Sequence, residues 1–367
     1  MVRTSPNEVS FINAQAWKDI YGHATKGTAG GAPHKHWDRF GSAFNNEADI
    51  FRARDEDHNR MRRIFAPGFS DRALKLQEPL LLKYTNLLEA KLREGIEKDS
   101  DHKFDMVNMY NFTTFDVMAD LAFSEPLHML ANAEYDPWVK LIFESIRMIV
   151  VVDLIKRFPL VFKVFTAIMP TLMDKKREEH FQNSVDRVTK RIEKGKDFEH
   201  RDISSLVLNQ PEGKGMTRGE MDANSDVIML AEIETTATLV SGLTYLLLKN
   251  PKKMELLTSE IRTAFASTGD MTMEKTAALP YLNACIKEAF RMYPPVGMGM
   301  VRQTPPEGST ICGYFVAPGV SILVHLNTAH TTYRCTDCRK HITTALFHVG
   351  KKFQGTDVFS AGALAWR

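Results

Sequence analysis

Leu230-Ala231-Glu232-Ile233-Glu234-Thr235-Thr236-Ala237-Thr238 lies in the middle of a segment, Val227 to Leu248, that is otherwise almost wholly apolar. The segment ends at Lys249-Asn250-Pro251, a helix stop, so it reads as one long central helix over about 224–249. Two carboxylates and three threonines in such a run cost free energy to bury unless they have a partner or a task. Glu232 and Glu234 fall on different faces at helical spacing and do not make one paired carboxylate site. Glu234 and Thr235 put an acid and a hydroxyl at one level of the helix, which is what proton delivery to a bound oxygen species needs. The same residues also suit a buried helix whose threonines bond back to the preceding turn and bend it. The run is long enough to cross a bilayer, but its central glutamates argue against that.

Around this helix the composition is that of a globular protein: 367 residues, 44% hydrophobic and 25% charged. A net charge of +2 gives no global argument for nucleic acid. Cys285, Cys312, Cys335 and Cys338 are too few for a disulfide framework and suit a reducing compartment. Eighteen methionines and 22 phenylalanines fit a core around an irregular apolar cavity. The N-terminus, Met1-Val2-Arg3-Thr4-Ser5-Pro6-Asn7, has no apolar leader segment. A second apolar region, 141–169, is interrupted by Glu144, Arg147, Asp153, Lys156, Arg157 and Lys163. It reads either as two core helices or as a peripheral membrane contact with its basic residues toward head groups.

The first half of the chain reads as helical. Helices are expected over 56–64, 70–96, 104–123, 138–158 and 175–195, with a Pro67-Gly68 turn and a polar loop over 210–219. Two more follow the central helix, over 251–266 and 281–292, the latter closed by Pro294-Pro295. Thr310–Val316 and Val320–Val324 are β-branched runs around Ala317-Pro318-Gly319, a strand–turn–strand pattern. The expected class is mainly α with a small β-sheet, α+β.

Glu288 and Arg291 stand at i, i+3 just before the Pro-Pro stop and can pair on one helix face. Their place in a larger order is more telling. The chain runs His58-x-x-x-Arg62-Arg63, Pro67-Gly68-Phe69-Ser70, Ala231-x-x-Glu234-Thr235-Thr236, Glu288-x-x-Arg291, then Arg302. In that order and at those intervals, from residue 2 to about Arg334, it resembles a fungal cytochrome P450, a heme-thiolate monooxygenase. It is similar to the group that contains isotrichodermin (trichothecene) hydroxylases. The opening Val2–Phe11 and Ala16–His23 look like the family's B-helix region.

The resemblance implies a partial cytochrome P450 fold built on the central helix, and a heme b cofactor. It implies that His58 and Arg62 reach one heme propionate and Arg302 the other. Glu234 and Thr235 become the acid–alcohol pair that delivers protons, and Glu288 and Arg291 a structural pair. It further implies a lipophilic secondary metabolite as substrate, electrons from NADPH through NADPH-cytochrome P450 reductase, and the endoplasmic reticulum membrane as location.

The chain departs from the family pattern in three places. Glu232 stands where the family has a glycine that lets the helix approach the oxygen site. A membrane anchor, a first helix and outer sheet strands precede the equivalent of Val2 in fungal members. The expectation is therefore a domain over 1–334 without anchor or first strands, cytoplasmic or peripheral. Third, the signature Phe-x-x-Gly-x-Arg-x-Cys-x-Gly, whose thiolate binds the iron, is missing. After Arg334 comes an atypical tail, 335–367, in which only Phe359-Ser360-Ala361-Gly362 and Ala363-Leu364-Ala365-Trp366 echo the heme loop and its helix. No metal ligand is assigned there, and Cys335 and Cys338 are the thiols closest to that role. Loss of the ligand loop would leave an inactive chain. His330, Cys335, Cys338 and His341 give an alternative, a non-catalytic protein with a small zinc-stabilised tail.

Overall fold

A computed structural model describes residues 1–325, apart from 23–30, 41–42, 157, 169, 196–201, 212, 214 and 298. It is mainly helical with a small mixed sheet, and it divides into two units. One joins Met1–Phe40 to Thr238–Arg367, and the other is Gly41–Ala237.

The first unit holds the strands: β1 (Val2–Ser5), β2 (Glu8–Phe11), β3 (His34–Lys35), β4 (Arg302–Gln303), β5 (Ser309–Ile311), β6 (Tyr314–Val316) and β7 (Ser321–Val324). Five of them form one sheet in the order β1-β2-β7-β4-β3, and β5 and β6 form a separate pair. β2 and β7 run parallel with Val9 opposite Ile322, and the other pairings are antiparallel. The helix Ala14–Tyr21 packs on this sheet through Ala16 and Ile20, in a buried cluster with Phe11, Ile311, Ile322 and Val324.

Two sequence expectations are corrected here. Residues 2–11, expected to belong to a helical region, supply β1 and β2. Their alternation is too short to stand out, and it is the parallel pairing with β7, over 300 residues away, that makes them strands. Residues 310–316, expected to be a single strand, fold back on themselves at Cys312-Gly313. Both residues take positive φ (50° and 80°), the two-residue hairpin geometry that tolerates glycine best. β7 then leaves for the larger sheet, where Val320 N–H donates to Thr304 Oγ1 at 2.9 Å.

The helices Pro251–Ala264 and Pro280–Met292 complete this unit. Glu260 on the first accepts the N–H groups of Tyr281 and Leu282, both at 2.8 Å, and so satisfies the open N-terminus of the second.

The second unit is helical: Asp55–Phe65, Asp71–Lys98, Met106–Phe123, Pro137–Lys156, Pro159–Ile168, Pro170–Glu193 and the short Ile203–Leu208 are its main elements. Ser70 and Asp105 cap the second and third through the N–H groups of Ala73 and Asn108. Asp71–Lys98 stays one helix despite Pro79.

The central helix is Arg218–Leu248 and starts earlier than the expected 224. Thr217 and Glu220 make a reciprocal cap: Glu220 N–H donates to Thr217 Oγ1 at 3.1 Å, and Thr217 N–H to Glu220 Oε2 at 2.9 Å. The helix meets the length and composition of a membrane span. Ala223, Val227, Ile228, Met229 and Ala237, however, are buried against protein.

Polar ties knit the unit. Arg191, fully buried, pairs with Asp202 and also donates to Ser205 Oγ at 3.0 Å. Buried His180 accepts from Trp138 Nε1 at its Nδ1 (2.8 Å) and sets Nε2 2.9 Å from the Asp226 carboxylate. Three helices are thereby joined.

Candidate functional site

The helix Asp55–Phe65 opens with Asp55, Glu56 and Asp57 and closes with Arg62 and Arg63, a charge order that suits its dipole. Met61, Ile64 and Phe65 are buried, which leaves His58 and Arg62, one turn apart, half-buried on a neighbouring face. Arg62 makes no side-chain hydrogen bond or ion pair among the described residues.

The next arginine on the helix has a different task. Arg60 pairs with Glu220, bonds the Gly215 carbonyl at 2.9 Å, and so clasps this helix to the first turn of the central one. Beside it, Asn224 is almost fully buried. It accepts Ile50 N–H at 2.9 Å and donates to the Glu220 carbonyl at 2.8 Å.

Glu234 lies fourteen residues beyond Glu220, about 21 Å along the axis at 1.5 Å per residue. It is half-buried, and burial alone pushes its carboxyl above the ordinary 4.5. Desolvation of this kind favours the protonated over the charged carboxyl. Thr235 is half-buried beside it, Thr236 is exposed and Ala237 buried. The side chain of Glu232 lies outside the described residues.

A cavity of 40 Å³ opens beside the start of this helix, between Phe65, Phe123, Val188, Ile203, Met216 and Ile228. Glu234 does not line it, and it is far below the roughly 300–1,000 Å³ of a ligand pocket.

In the other unit, Glu288 and Arg291 pair in bidentate fashion. Arg291 Nε donates to Oε2 at 2.8 Å and Nη2 to Oε1 at 2.7 Å, and this raises the guanidinium pKa. Arg302 is set in β4 opposite Ile322 on one side and Lys35 on the other. Its Cζ stands 5.9 Å from the Tyr21 ring. That phenol donates to the Met300 carbonyl at 2.7 Å, accepts from Val324 N–H at 3.3 Å, and is pushed up to about 12, chiefly by burial.

Half-buried cations suit an anionic group, and His58 with Arg62 in one unit and Arg302 in the other are each half-buried. The iron ligand is a separate matter. Cys335, Cys338, His330 and His341 lie outside the described residues. Among the described residues the free thiols are Cys285 and Cys312, with no cluster of three metal-ligating side chains. Burial pushes both of those thiols up, away from the thiolate form a ligand needs.

The order of motifs singles out seven of these positions, His58, Arg62, Glu234, Thr235, Glu288, Arg291 and Arg302, and points to neither Tyr21 nor Lys35. Their proximity to Arg302 comes from helix packing and strand register, for which the sequence carries no local signal.

Comparison with known proteins gives the same direction. The family model for cytochrome P450 matches residues 3–333. The chain is 42% identical to cytochrome P450 monooxygenase efuB of Hormonema carpetanum over 97% of this chain and 69% of that one. That match therefore runs past residue 334. It is 44% identical to cytochrome P450 monooxygenase FUM2 of Gibberella moniliformis, over 88% of this chain and 68% of that one. It is 38% identical to the trichothecene C-4 hydroxylase of Trichoderma arundinaceum, over 90% and 64%. The chain thus spans about two thirds of the length of these relatives. Among solved structures, the heme domain of cytochrome P450DA superposes with a TM-score of 0.65 at 15% identity. The superposition covers 91% of this chain and 73% of that one.

Proposed function

The chain belongs to the cytochrome P450 family, and from that premise we propose that it hydroxylates a lipophilic secondary metabolite with dioxygen and electrons passed from NADPH by NADPH-cytochrome P450 reductase. The observation that carries this is Glu234 followed by Thr235, an acid whose pKa burial raises and a hydroxyl, at a half-buried point of an apolar helix. When bound, heme b supplies one-electron chemistry and oxygen activation. His58 and Arg62 would offer cations to one of its carboxylates, and Arg302 would offer one to the other. Glu234 holds a proton on its carboxyl and Thr235 Oγ1 passes it into the site. The apolar residues around them exclude water, so that the proton goes only where the hydroxyl directs it. Glu288 and Arg291 hold their helix end in place.

The reduced carbon monoxide difference spectrum of the expressed 367-residue chain tests this. A thiolate-type Soret band is the expected result and would make Cys335 or Cys338 the ligand to examine. A chain that retains no heme even when supplied with it overturns the proposal and leaves a non-catalytic member of the family. Zinc without a Soret band in metal analysis would favour the Cys/His tail instead.

The location proposed is the cytoplasmic face of the endoplasmic reticulum, with peripheral contact through 141–169. Leu154, Phe158, Leu160 and Val164 are exposed there, Leu160 at 82%, beside exposed Lys156 and Lys163. Apolar side chains to insert and lysines to meet phosphate are what an interfacial helix pair offers. Sedimentation with phosphatidylcholine–phosphatidylserine vesicles should capture the chain, and Leu160→Glu should lose most of that capture. Equal capture of both sinks the contact.

A further inference from the structure

The 40 Å³ cavity beside the start of the central helix is walled by apolar side chains, Phe123, Val188, Ile203, Met216 and Ile228 among them, and by four polar ones, Arg191, Ser204, Asn224 and Ser225. Three of those four are committed. Arg191 pairs with Asp202, Ser204 Oγ donates to the Ala122 carbonyl at 2.6 Å, and Asn224 bonds Ile50 and Glu220. Ser225 differs from them. It is 6% exposed, and its Oγ makes no hydrogen bond among the described residues. A serine inside a helix can donate to the carbonyl one turn back, and this one does not. Its hydroxyl keeps a donor and its acceptor lone pairs open at the wall of an apolar space. A buried hydroxyl left in that state costs stability.

Size and polarity select what would answer it. The space is about a quarter of the roughly 150 Å³ apolar cavity that takes benzene, which limits an occupant to about two to four non-hydrogen atoms. A buried water makes about three hydrogen bonds, and among the described polar side chains in this wall only Ser225 lacks a partner. A wholly apolar occupant would leave the hydroxyl orphaned. A short aliphatic body with a single hydroxyl matches the wall on both counts.

We propose that this cavity is a binding site for a short-chain alcohol, with Ser225 Oγ as its hydrogen-bonding partner. The site does not depend on the heme reading, because none of the residues given a role there lines it. Met221, Ser225 and Ile228 face the occupant from the central helix, Val188 and Ile203 from two other helices. Occupancy therefore braces the first turns of the central helix and stabilises the folded chain.

The test is a titration of the full chain with 1-propanol, read from the methyl signals of isotope-labelled Met216 and Met221, both of which line the cavity. The shifts should saturate at millimolar alcohol. Ser225→Ala should weaken 1-propanol binding about fivefold, the loss expected for one neutral hydrogen bond. Xenon, which makes no hydrogen bond, should bind the parent chain and Ser225→Ala alike. Ser225→Val, which pushes two methyl groups into the space, should abolish binding of both probes.

Shifts that grow with alcohol and never saturate overturn the site. So does saturable alcohol binding that survives in Ser225→Val. Equal 1-propanol affinity of the parent chain and Ser225→Ala, or xenon bound where the alcohol is not, overturns the assignment of ligand class and of Ser225. If Ser225→Ala does not fold, Ser225→Val carries the test.

Discussion

The two halves of the central helix invert the usual relation between polarity and burial. Its first turns, from Arg218 to Ser225, are rich in polar groups, yet Glu220, Asp222, Asn224 and Ser225 are buried there. Its last turns, Leu243 to Leu248, are almost wholly apolar, yet Tyr245 and Leu248 are 61% and 65% exposed. In the first half three of the four buried polar groups have work: Glu220 caps the helix and pairs with Arg60, Asn224 satisfies Ile50, and Asp222 pairs with Arg218 at 2.9 Å, while Ser225 Oγ makes no hydrogen bond among the described residues. In the second half Tyr245 and Leu248 face outward, while Leu247 is buried and Leu243 packs beside it. Hydrophobicity along a chain measures what burial would gain, and geometry decides where burial happens.

The contrast can be broken at its strongest point first. Asn224→Ala leaves the buried Ile50 N–H without an acceptor and opens space beside Met61. It should cost about 3 kcal/mol, read from urea unfolding, where an unsatisfied buried donor and a small cavity add. A loss below 1 kcal/mol would mean that the polar half is held by something else.

Glu234→Gln probes the boundary between the halves. The folded carboxyl has a raised pKa. Between the unfolded and the folded value the native chain therefore binds more protons, and its stability falls as pH rises through that window. The full contribution is present below the ordinary 4.5 and is lost above the folded value. Glutamine removes that dependence, so the variant should melt above the parent chain at pH 8 and together with it at pH 4. An identical difference at both pH values would show that Glu234 does not titrate as burial requires.

Leu248→Gln should change stability by less than about 0.5 kcal/mol, as for other surface positions. A loss of 2 kcal/mol or more would place this leucine in a packed interface and erase the contrast.

Much of the helical framework was legible in sequence because amphipathic period and stops are local. Pro251, Pro280 and the Ser70 cap each announce their helix within a few residues. The Thr217-x-x-Glu220 cap was equally local, but it lies in a polar stretch that reads as loop, so the helix start was placed too late. The sheet was the harder part. β1 and β2 are four residues each, and β3 and β4 two each, too short for alternation to separate from chance. Their identity rests on partners up to 300 residues away.

By itself the sequence determined the helical class, the long central helix with an acid and a hydroxyl in its middle, and the order of motifs that carries the family. Those are properties of neighbouring residues and their spacing. Only the tertiary structure decided which parts of that helix are covered and that Lys35 stands across from Arg302 with Tyr21 against the guanidinium. Burial and strand register are set by packing between distant segments, and no local pattern encodes them.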